Sequence, residues 1–406
     1  MLSTKSAVDI NYMYWIGSFI VIVFIIPNTT NFKERKAFSD KVRLANAMAV
    51  YRVGQTGDSV TLAAGPYYDR NAVSQLFLGE KQRELWITPI QVKVFDYNTV
   101  AGGLRPVEFG GGQQTISIEL EDKQGKSWAL RSVNKDQKSV LSPFLQTTFL
   151  RFMVRDQLAS ASPYGQLVVP VFASRLGLFH ATPRLYLVPY DETLKEYNER
   201  MAGRMAFLEE DIGGSWKGTE TFGGADDIIN SDEMMELLKK ENTKVDSMLY
   251  LKTRLFDMLL SDWDRHPGNW RWAVFKQNGQ TIIKPIAKDR DNVFYQFDEG
   301  LLSRIALLFA PKFQSFRKDF GKVSGLIFQS KPLDVSILSN VEKNAFEKTA
   351  LEIQGELDDQ LIKQAFKRYP PEIYKKAGKQ HEEIFKARLN QLPEVAKEFF
   401  ELIHQK

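Results

Sequence analysis

The stretch that decides the fold reads Ser261-Asp262-Trp263-Asp264-Arg265-His266-Pro267-Gly268-Asn269. It follows Val245–Leu260, where apolar residues recur at helical spacing, so we predict a buried helix that runs directly into a polar loop. Pro267 and Gly268 keep this loop from continuing as helix. Two aspartates and an asparagine are therefore expected together at the end of a buried element.

A second acidic cluster follows a predicted hairpin. Extended segments at 270–276 and 281–286 flank Asn278-Gly279, a pair that strongly favours a two-residue hairpin turn, and the second segment leads to Asp289 and Asp291. Because a hairpin returns the chain to its starting point, we expect the two acidic clusters to lie close together. Grouped Asp and Asn oxygens are hard ligands that suit Mg²⁺ or Mn²⁺ better than zinc.

A glycine turn and a basic strand lie upstream of both clusters. The turn comprises Gly110, Gly111, Gly112 and Gln113, between two segments predicted as strands. Because glycines have no side chains, phosphate oxygens can approach the backbone N–H groups of such a turn closely. The next predicted strand presents Arg131 and, just beyond it, Lys135. Both cations are candidates for neutralising phosphate charge.

The composition restricts the chemistry further. The 406 residues include no cysteine and four histidines, which excludes a disulfide framework, a thiol nucleophile and Cys-ligated metal centres, and disfavours a multi-His site. A net charge of +4 with no basic run argues against nucleic acid as a partner. With 43% hydrophobic residues the chain has enough apolar surface for a large core, so disordered and fibrous classes are also excluded.

The order of the predicted elements indicates an α+β fold of two lobes. Residues 40–210 form an antiparallel-sheet N-lobe with the glycine turn and the basic strand, and a glycine-rich stretch from Gly213 to Gly224 links it to the next lobe. Residues 211–340 form a mainly helical C-lobe with the Asp motifs, and residues 341–406 add C-terminal helices. Glycine loop, basic strand, Asp with Asn five residues later, and a second Asp cluster match the parts used for phosphoryl transfer on a bilobal protein-kinase-like scaffold.

The motifs also carry a family resemblance. Residues 259–266, 270–272 and 285–291 resemble the catalytic and metal motifs of atypical kinase-like domains, namely the secretory-pathway kinases and the spore-coat H kinases. Residues 110–115 and 130–135, with Asp262-Trp263-Asp264-Arg265-His266, are similar to the N-terminal kinase-like region of large bacterial outer-surface proteins. In those proteins the kinase-like region precedes a membrane β-barrel.

The resemblance implies roles for the acidic residues. Asp264 would be the catalytic residue that positions and deprotonates an acceptor hydroxyl. Asn269 would ligate a metal ion, Mg²⁺ or Mn²⁺. Asp291 would be the main carboxylate that bridges this metal to nucleotide phosphates, with Asp289 as its rival.

The resemblance also implies a nucleotide site for ATP. Either Lys135 or Arg131 would hold the α- and β-phosphates, because the register is ambiguous by four residues. Asp156 would pair with that basic residue, and the glycine turn from Gly110 would cover the phosphates. The backbone of residues 209–211 would contact the adenine.

The N-terminus is the one segment that resembles a leader or an anchor. No charged side chain occurs from Ile10 to Phe32, so we expect a signal peptide or membrane anchor within residues 1–36. Export or anchoring at the cell envelope follows, on the periplasmic or surface side. The cations between Lys33 and Arg43 favour the alternative, the cytoplasmic membrane face. A buried helix at the edge of the domain is a third reading.

Two functions follow from these features. The first is a metal-dependent phosphotransferase that uses ATP or a related nucleotide on an unknown acceptor. The alternative is a non-catalytic, pseudokinase-like binding or assembly module of the cell envelope with a protein partner there. A metallophosphoesterase is disfavoured, since such sites need several His ligands and only His266 lies near the acidic clusters.

Overall fold

The computed structural model of the chain describes residues 5–25, 32–110 and 116–405. Its strands form two sheets. The larger sheet has the strand order β1-β2-β6-β7-β5-β4-β3, and its neighbours are antiparallel except for the parallel pair β2 and β6. Its strands are β1 (Ser59–Leu62), β2 (Ile90–Val94), β3 (Leu104–Gly110), β4 (Ser117–Asp122), β5 (Ser127–Ser132), β6 (Arg184–Leu187) and β7 (Met205–Glu210).

The smaller sheet lies within the second half of the chain and has the order β8-β10-β11-β9. Its strands are β8 (Asp227–Ile229), β9 (Thr243–Val245), β10 (Trp270–Gln277) and β11 (Gln280–Ala287). Strands β10 and β11 form the predicted hairpin, and Asn278 and Gly279 both have the positive φ that a tight hairpin turn needs. Trp270 therefore pairs with Ala287, which brings the residues before β10 beside those after β11.

Helices make up most of the second lobe. The α-helices are α1 (Lys5–Ile20), α2 (Phe32–Ala37), α3 (Asp40–Val50), α4 (Ala72–Leu78), α5 (Arg83–Ile87), α6 (Leu150–Asp156), α7 (Val169–Arg175), α8 (Glu196–Met201), α9 (Ser231–Leu237), α10 (Ser247–Leu259), α11 (Leu301–Phe309), α12 (Val323–Leu326), α13 (Lys331–Leu338), α14 (Lys343–Glu356), α15 (Asp359–Phe366), α16 (Pro371–Ile373) and α17 (Lys379–His404). The predicted α+β class, with a sheet lobe before a mainly helical lobe, is confirmed.

Helix α10 is the buried element that the sequence predicts. The side chain of Asp246 accepts a hydrogen bond from the Leu249 N–H and caps its first turn. At its other end, the buried guanidinium of Arg388 from α17 donates to the carbonyls of Met258 and Leu259. A cation at this position donates to the carbonyls of the last helical turn and complements the helix dipole. Helix α17 therefore holds the start of the polar loop in place.

The N-terminal segment is only partly described. Most of the side chains described between Tyr12 and Ile25 are exposed, with Trp15 at 76%, so the reading as a buried helix is wrong for them. No described helix is long and apolar enough to span a bilayer. Downstream, Glu34 of α2 is buried and pairs with Arg151 and Arg155 of α6. The leader or anchor within residues 1–36 stays a prediction.

Helix α17 also buries a histidine without a charged partner. His381 lies among Phe294, Phe316 and Phe366, and its Nδ1 is 3.0 Å from the hydroxyl of Tyr369. Burial lowers the pKa of His381 to about 4, because the imidazolium would lose its hydration there.

We therefore predict an acid-sensitive contribution to stability. An unfolded His takes up its proton near pH 6.5, whereas His381 in the folded chain stays neutral down to about pH 4, so the unfolded state binds more protons between these values. The stability is complete above pH 6.5 and falls by up to about 3 kcal/mol as the pH drops towards 4. Urea denaturation across this range should show a smaller loss in His381→Gln. The exposed-site control His404→Gln should keep the wild-type slope, and equal slopes in both variants would contradict the prediction.

Candidate active site

A cleft of about 620 Å³ collects the residues that the sequence singles out. Its walls include Arg131, Lys135, Asp264, Asn269, Asp289 and Asp291. Gly110 ends β3 and does not line the cleft, and Gly111, Gly112 and Gln113 lie outside the described residues. A role for the glycine turn in phosphate binding thus stays a prediction, while both acidic clusters and both cations share one cavity.

One arginine joins the two acidic loops. Arg265, fully buried, donates from its guanidinium to the carbonyls of Lys288 and Asp289, at 2.8 and 2.7 Å. Its guanidinium also lies 3.3 Å from the carboxylate of Asp262. Because the planar guanidinium reaches all of these acceptors at once, it fixes the loop after α10 against the segment after β11.

This arginine is the last member of a network of buried side chains with alternating charges. The network runs in the order Asp334, Arg254, Asp257, Arg290, Asp262 and Arg265, with successive contacts of 2.6 to 3.3 Å. No side chain in it is more than 10% exposed, and the three positive and three negative charges balance. Asp262 therefore belongs to the support of the loop, whereas Asp264 lines the cleft.

The loop itself orients Asp264. The amide of Asn269 donates to the backbone carbonyl of Asp264 at 2.9 Å, five residues back. The ring of His266 accepts from the N–H of Gly268 at 3.0 Å, so this histidine closes the turn. With its N–H₂ group engaged in the loop, Asn269 has its amide oxygen as the atom suited to a metal ion. The carboxylate of Asp264 is about one quarter exposed.

The opposite wall brings a cation and a second carboxylate together. Lys135 forms an ion pair with Asp291, whereas Arg131 lies 2.8 Å from Glu209 and 3.6 Å from Asp211. Of the two cations, Lys135 is the one that contacts the acidic cluster, and its role in holding phosphates stays a prediction. The side chains of Glu209 and Asp211 serve to hold Arg131.

Asn292 connects the two candidate carboxylates. Its side-chain amide donates to Asp291 at 2.7 Å and lies 3.5 Å from the Asp264 carboxylate. Asp264 and Asp291 thus face the same polar space. The sequence places Asn292 next to Asp291 in the second cluster but gives no reason to assign it this bridging position, since only the fold brings Asp264 within reach.

Asp156 does not pair with Lys135 or Arg131, contrary to the expectation from the resemblance. Its carboxylate contacts Arg83 at 2.5 Å, Arg70 at 3.2 Å and Lys81 at 3.4 Å, and it does not line the cleft. The carboxylate is 1% exposed, and the three cations supplied by residues 70–83 neutralise it on the far side of α6. Asp156 is a structural link between α6 and the segment around α5.

The electrostatics of the acidic cluster favour a bound cation. Burial, followed by the charge of Asp289, raises the pKa of Asp291 to about 6, although Lys135 opposes the shift. Burial alone would lower the pKa of Lys135, but the charge of Asp291 raises it above the usual value for lysine. Carboxylates this close repel one another, and a divalent cation between them would relieve that repulsion.

The residues suit a Mg²⁺ ion whose shell is completed by nucleotide phosphates and water. No set of three His, Cys, Asp or Glu side chains in the described ranges is arranged to hold a metal ion by itself. Mg²⁺ is usually held by one or two carboxylates, with substrate phosphates and water completing its shell. Asp291, with the amide oxygens of Asn269 and Asn292 nearby, offers an all-oxygen set of this kind.

We predict that Arg265→Lys destabilises the chain strongly. A lysine side chain is shorter and ends in one nitrogen, so it does not span the acceptors that the two terminal nitrogens of Arg265 reach, and Asp262 loses a partner in a fully buried position. We expect a loss of about 3–5 kcal/mol in urea denaturation. Arg271→Lys is the matched control, because Arg271 follows the same loop but is half-buried and donates only to neighbouring carbonyls. Equal losses in the two variants would show that Arg265 does not hold the loops.

Two solved structures resemble the chain. The match to a Helicobacter pylori proinflammatory kinase, CtkA, has 14% identity and a TM-score of 0.34, and it covers 71% of this chain and 95% of that one. The match to the Golgi casein kinase has 10% identity and a TM-score of 0.32, and it covers 89% and 91%. No family model and no curated protein matches the chain. Both of those proteins are kinases. The chemistry of this chain rests on its own side chains.

Proposed function

We propose that this chain is a metal-dependent phosphotransferase of the atypical kinase type that uses ATP or a related nucleotide. The observation that carries the proposal is the set of contacts across one cleft: Lys135 pairs with Asp291, and Asn292 links Asp291 to Asp264. A cation for phosphates, a carboxylate for metal and a second carboxylate for an acceptor hydroxyl are the groups that phosphoryl transfer requires.

Each of these residues has a separate role in the proposed reaction. Lys135 binds the phosphates of the nucleotide, and Asp291 with the amide oxygen of Asn269 holds the metal. A bound Mg²⁺ or Mn²⁺ supplies positive charge that offsets the charge developing on the transferred phosphoryl group. Asp264 orients the acceptor hydroxyl and takes its proton as the oxygen–phosphorus bond forms and the bond to the nucleotide diphosphate breaks.

The part of the cleft wall around Arg131 suits a nucleobase. Val133 and Phe207, both nearly fully buried, line it beside Arg131 and Glu209. An apolar slot next to a few polar groups is the usual composition of a site for a flat ring. We place the base there, so that the phosphates extend from Arg131 past Lys135 towards Asp264.

The N-terminal segment supports a further proposal about location. Apolar and aromatic side chains between Tyr12 and Ile25 are exposed, and cations such as Lys33 and Lys36 follow them. We propose that this segment associates with a membrane at the cell envelope, on its periplasmic or surface side. A reporter fused after Lys406 reads out the side, and a cytoplasmic signal would favour the alternative orientation.

The proposed activity predicts separate effects for the two carboxylates. Millimolar ATP with Mg²⁺ or Mn²⁺ should raise the melting temperature of the wild type. Asp291→Asn should lose the metal-dependent part of that increase, because the main carboxylate ligand is gone. Asp264→Asn should keep it but transfer phosphate about 10²–10⁴-fold more slowly, since the group that takes the proton is missing. Radiolabelled phosphate transfer and thermal melting measure the two effects.

A matched control separates these effects from a general loss of stability. Asp359→Asn changes an exposed carboxylate that contacts only Lys386 at the surface, so it should behave like the wild type in both assays. No stabilisation by nucleotide with either metal would refute the proposed function. Stabilisation by nucleotide without any transfer or ADP release would instead indicate the non-catalytic binding module.

A further inference from the structure

The cleft has a third cation, on the segment that follows α11. Lys312 lines the cleft together with Phe313, and its ammonium lies 4.9 Å from the ring centre of Trp263 and 5.2 Å from that of Phe313. Trp263 in turn packs edge-on against Phe313, with ring centres 4.8 Å apart. A cation on an aromatic face is held in place without being neutralised, because the ring carries no net charge.

Lys312 differs from the other two cations of the cleft in its partners. Lys135 contacts Asp291 and Arg131 contacts Glu209, whereas the Lys312 ammonium has neither an ion pair nor a hydrogen bond within residues 5–25, 32–110 and 116–405. Within the described residues, the Lys312 ammonium is thus a donor without an acceptor in the wall of the cleft.

The position of Lys312 follows from its aromatic partner. Its ammonium packs on the ring of Trp263, the residue directly before Asp264, and both Lys312 and Asp264 line the cleft. Burial lowers the pKa of Lys312, and the charge of Asp264 opposes this shift. Lys135 instead pairs with Asp291, which Asn292 links to Asp264. Lys312 therefore lies on the Asp264 side of the cleft and Lys135 on the Asp291 side.

We propose that Lys312 is a further catalytic residue that binds the terminal phosphoryl group. This inference rests on the proposed phosphotransferase function and extends it. An ammonium that is not neutralised by a carboxylate retains its full attraction for phosphate oxygens, and half-burial strengthens that attraction. Lys135 and Lys312 then hold the phosphates from opposite sides of the acidic residues.

The charge of Lys312 serves the transfer step as well as binding. As the acceptor oxygen approaches, the three non-bridging oxygens of the terminal phosphoryl group carry the charge of the transition state. The ammonium of Lys312 stabilises that charge, and the acceptor proton passes to Asp264. Lys312 neither gives nor takes a proton, so an arginine at this position retains part of the effect.

A nucleotide comparison tests the binding role without relying on activity. The wild type with Mg²⁺ should be stabilised more by a non-hydrolysable ATP analogue than by ADP, because only the analogue has the phosphate that Lys312 binds. In Lys312→Met this difference should disappear while stabilisation by ADP remains. Lys312→Arg should keep part of the difference. Lys318→Met is the matched control, because Lys318 is exposed and lies 3.6 Å from Glu383 at the surface.

A kinetic measurement tests the catalytic role with water as the acceptor. For ADP release from ATP, Lys312→Met should lower kcat by about 10²-fold with a much smaller change in KM, as expected for a group that acts mainly in the transition state. An unchanged difference between analogue and ADP, or a kcat within twofold of the wild type, would overturn this inference and leave the proposed function intact. No nucleotide stabilisation of the wild type would overturn both.

Discussion

The structure of the site depends on one buried guanidinium. Arg265 holds the backbone of Lys288 and Asp289 and also contacts Asp262, so the loop that carries Asp264 and the segment that carries Asp291 are tied to one point. The same two segments are also joined by the Arg290–Asp262 ion pair, by the Lys288 N–H that donates to the carbonyl of Asn269, and by the β10–β11 hairpin. The geometry of the cleft, including the Asn292 bridge, follows from these attachments.

Burying Arg265 requires charge compensation over a longer distance. The network of alternating charges that ends at Asp334 provides this compensation. Every carboxylate in the network contacts at least one guanidinium, and the charges of the network sum to zero. Such a network adds little net stability compared with apolar packing, since desolvating each ion costs several kcal/mol. What it provides is a fixed orientation of the two acidic loops.

Much of this architecture can be predicted from local sequence. The Asn278-Gly279 turn predicts the hairpin, the hairpin predicts that the two acidic clusters meet, and the apolar stripe of α10 predicts a buried helix before the loop. The partners of the charged residues could not be predicted in this way. Asp156 pairs with residues 70–83 rather than with Lys135, because the choice among nearby cations depends on how α5 and α6 pack.

The sequence by itself determined the chemistry that is available: without cysteine and with four histidines, the site has to consist of carboxylates, amides and cations. It also determined the order of these groups along the chain. Only the tertiary structure decided that Lys135 rather than Arg131 meets Asp291, that Asn292 lies between the two carboxylates, and that Lys312 has no acidic partner among the described residues. The physical reason is that ion pairing depends on distances of a few ångströms between side chains far apart in sequence, and those distances are set by packing.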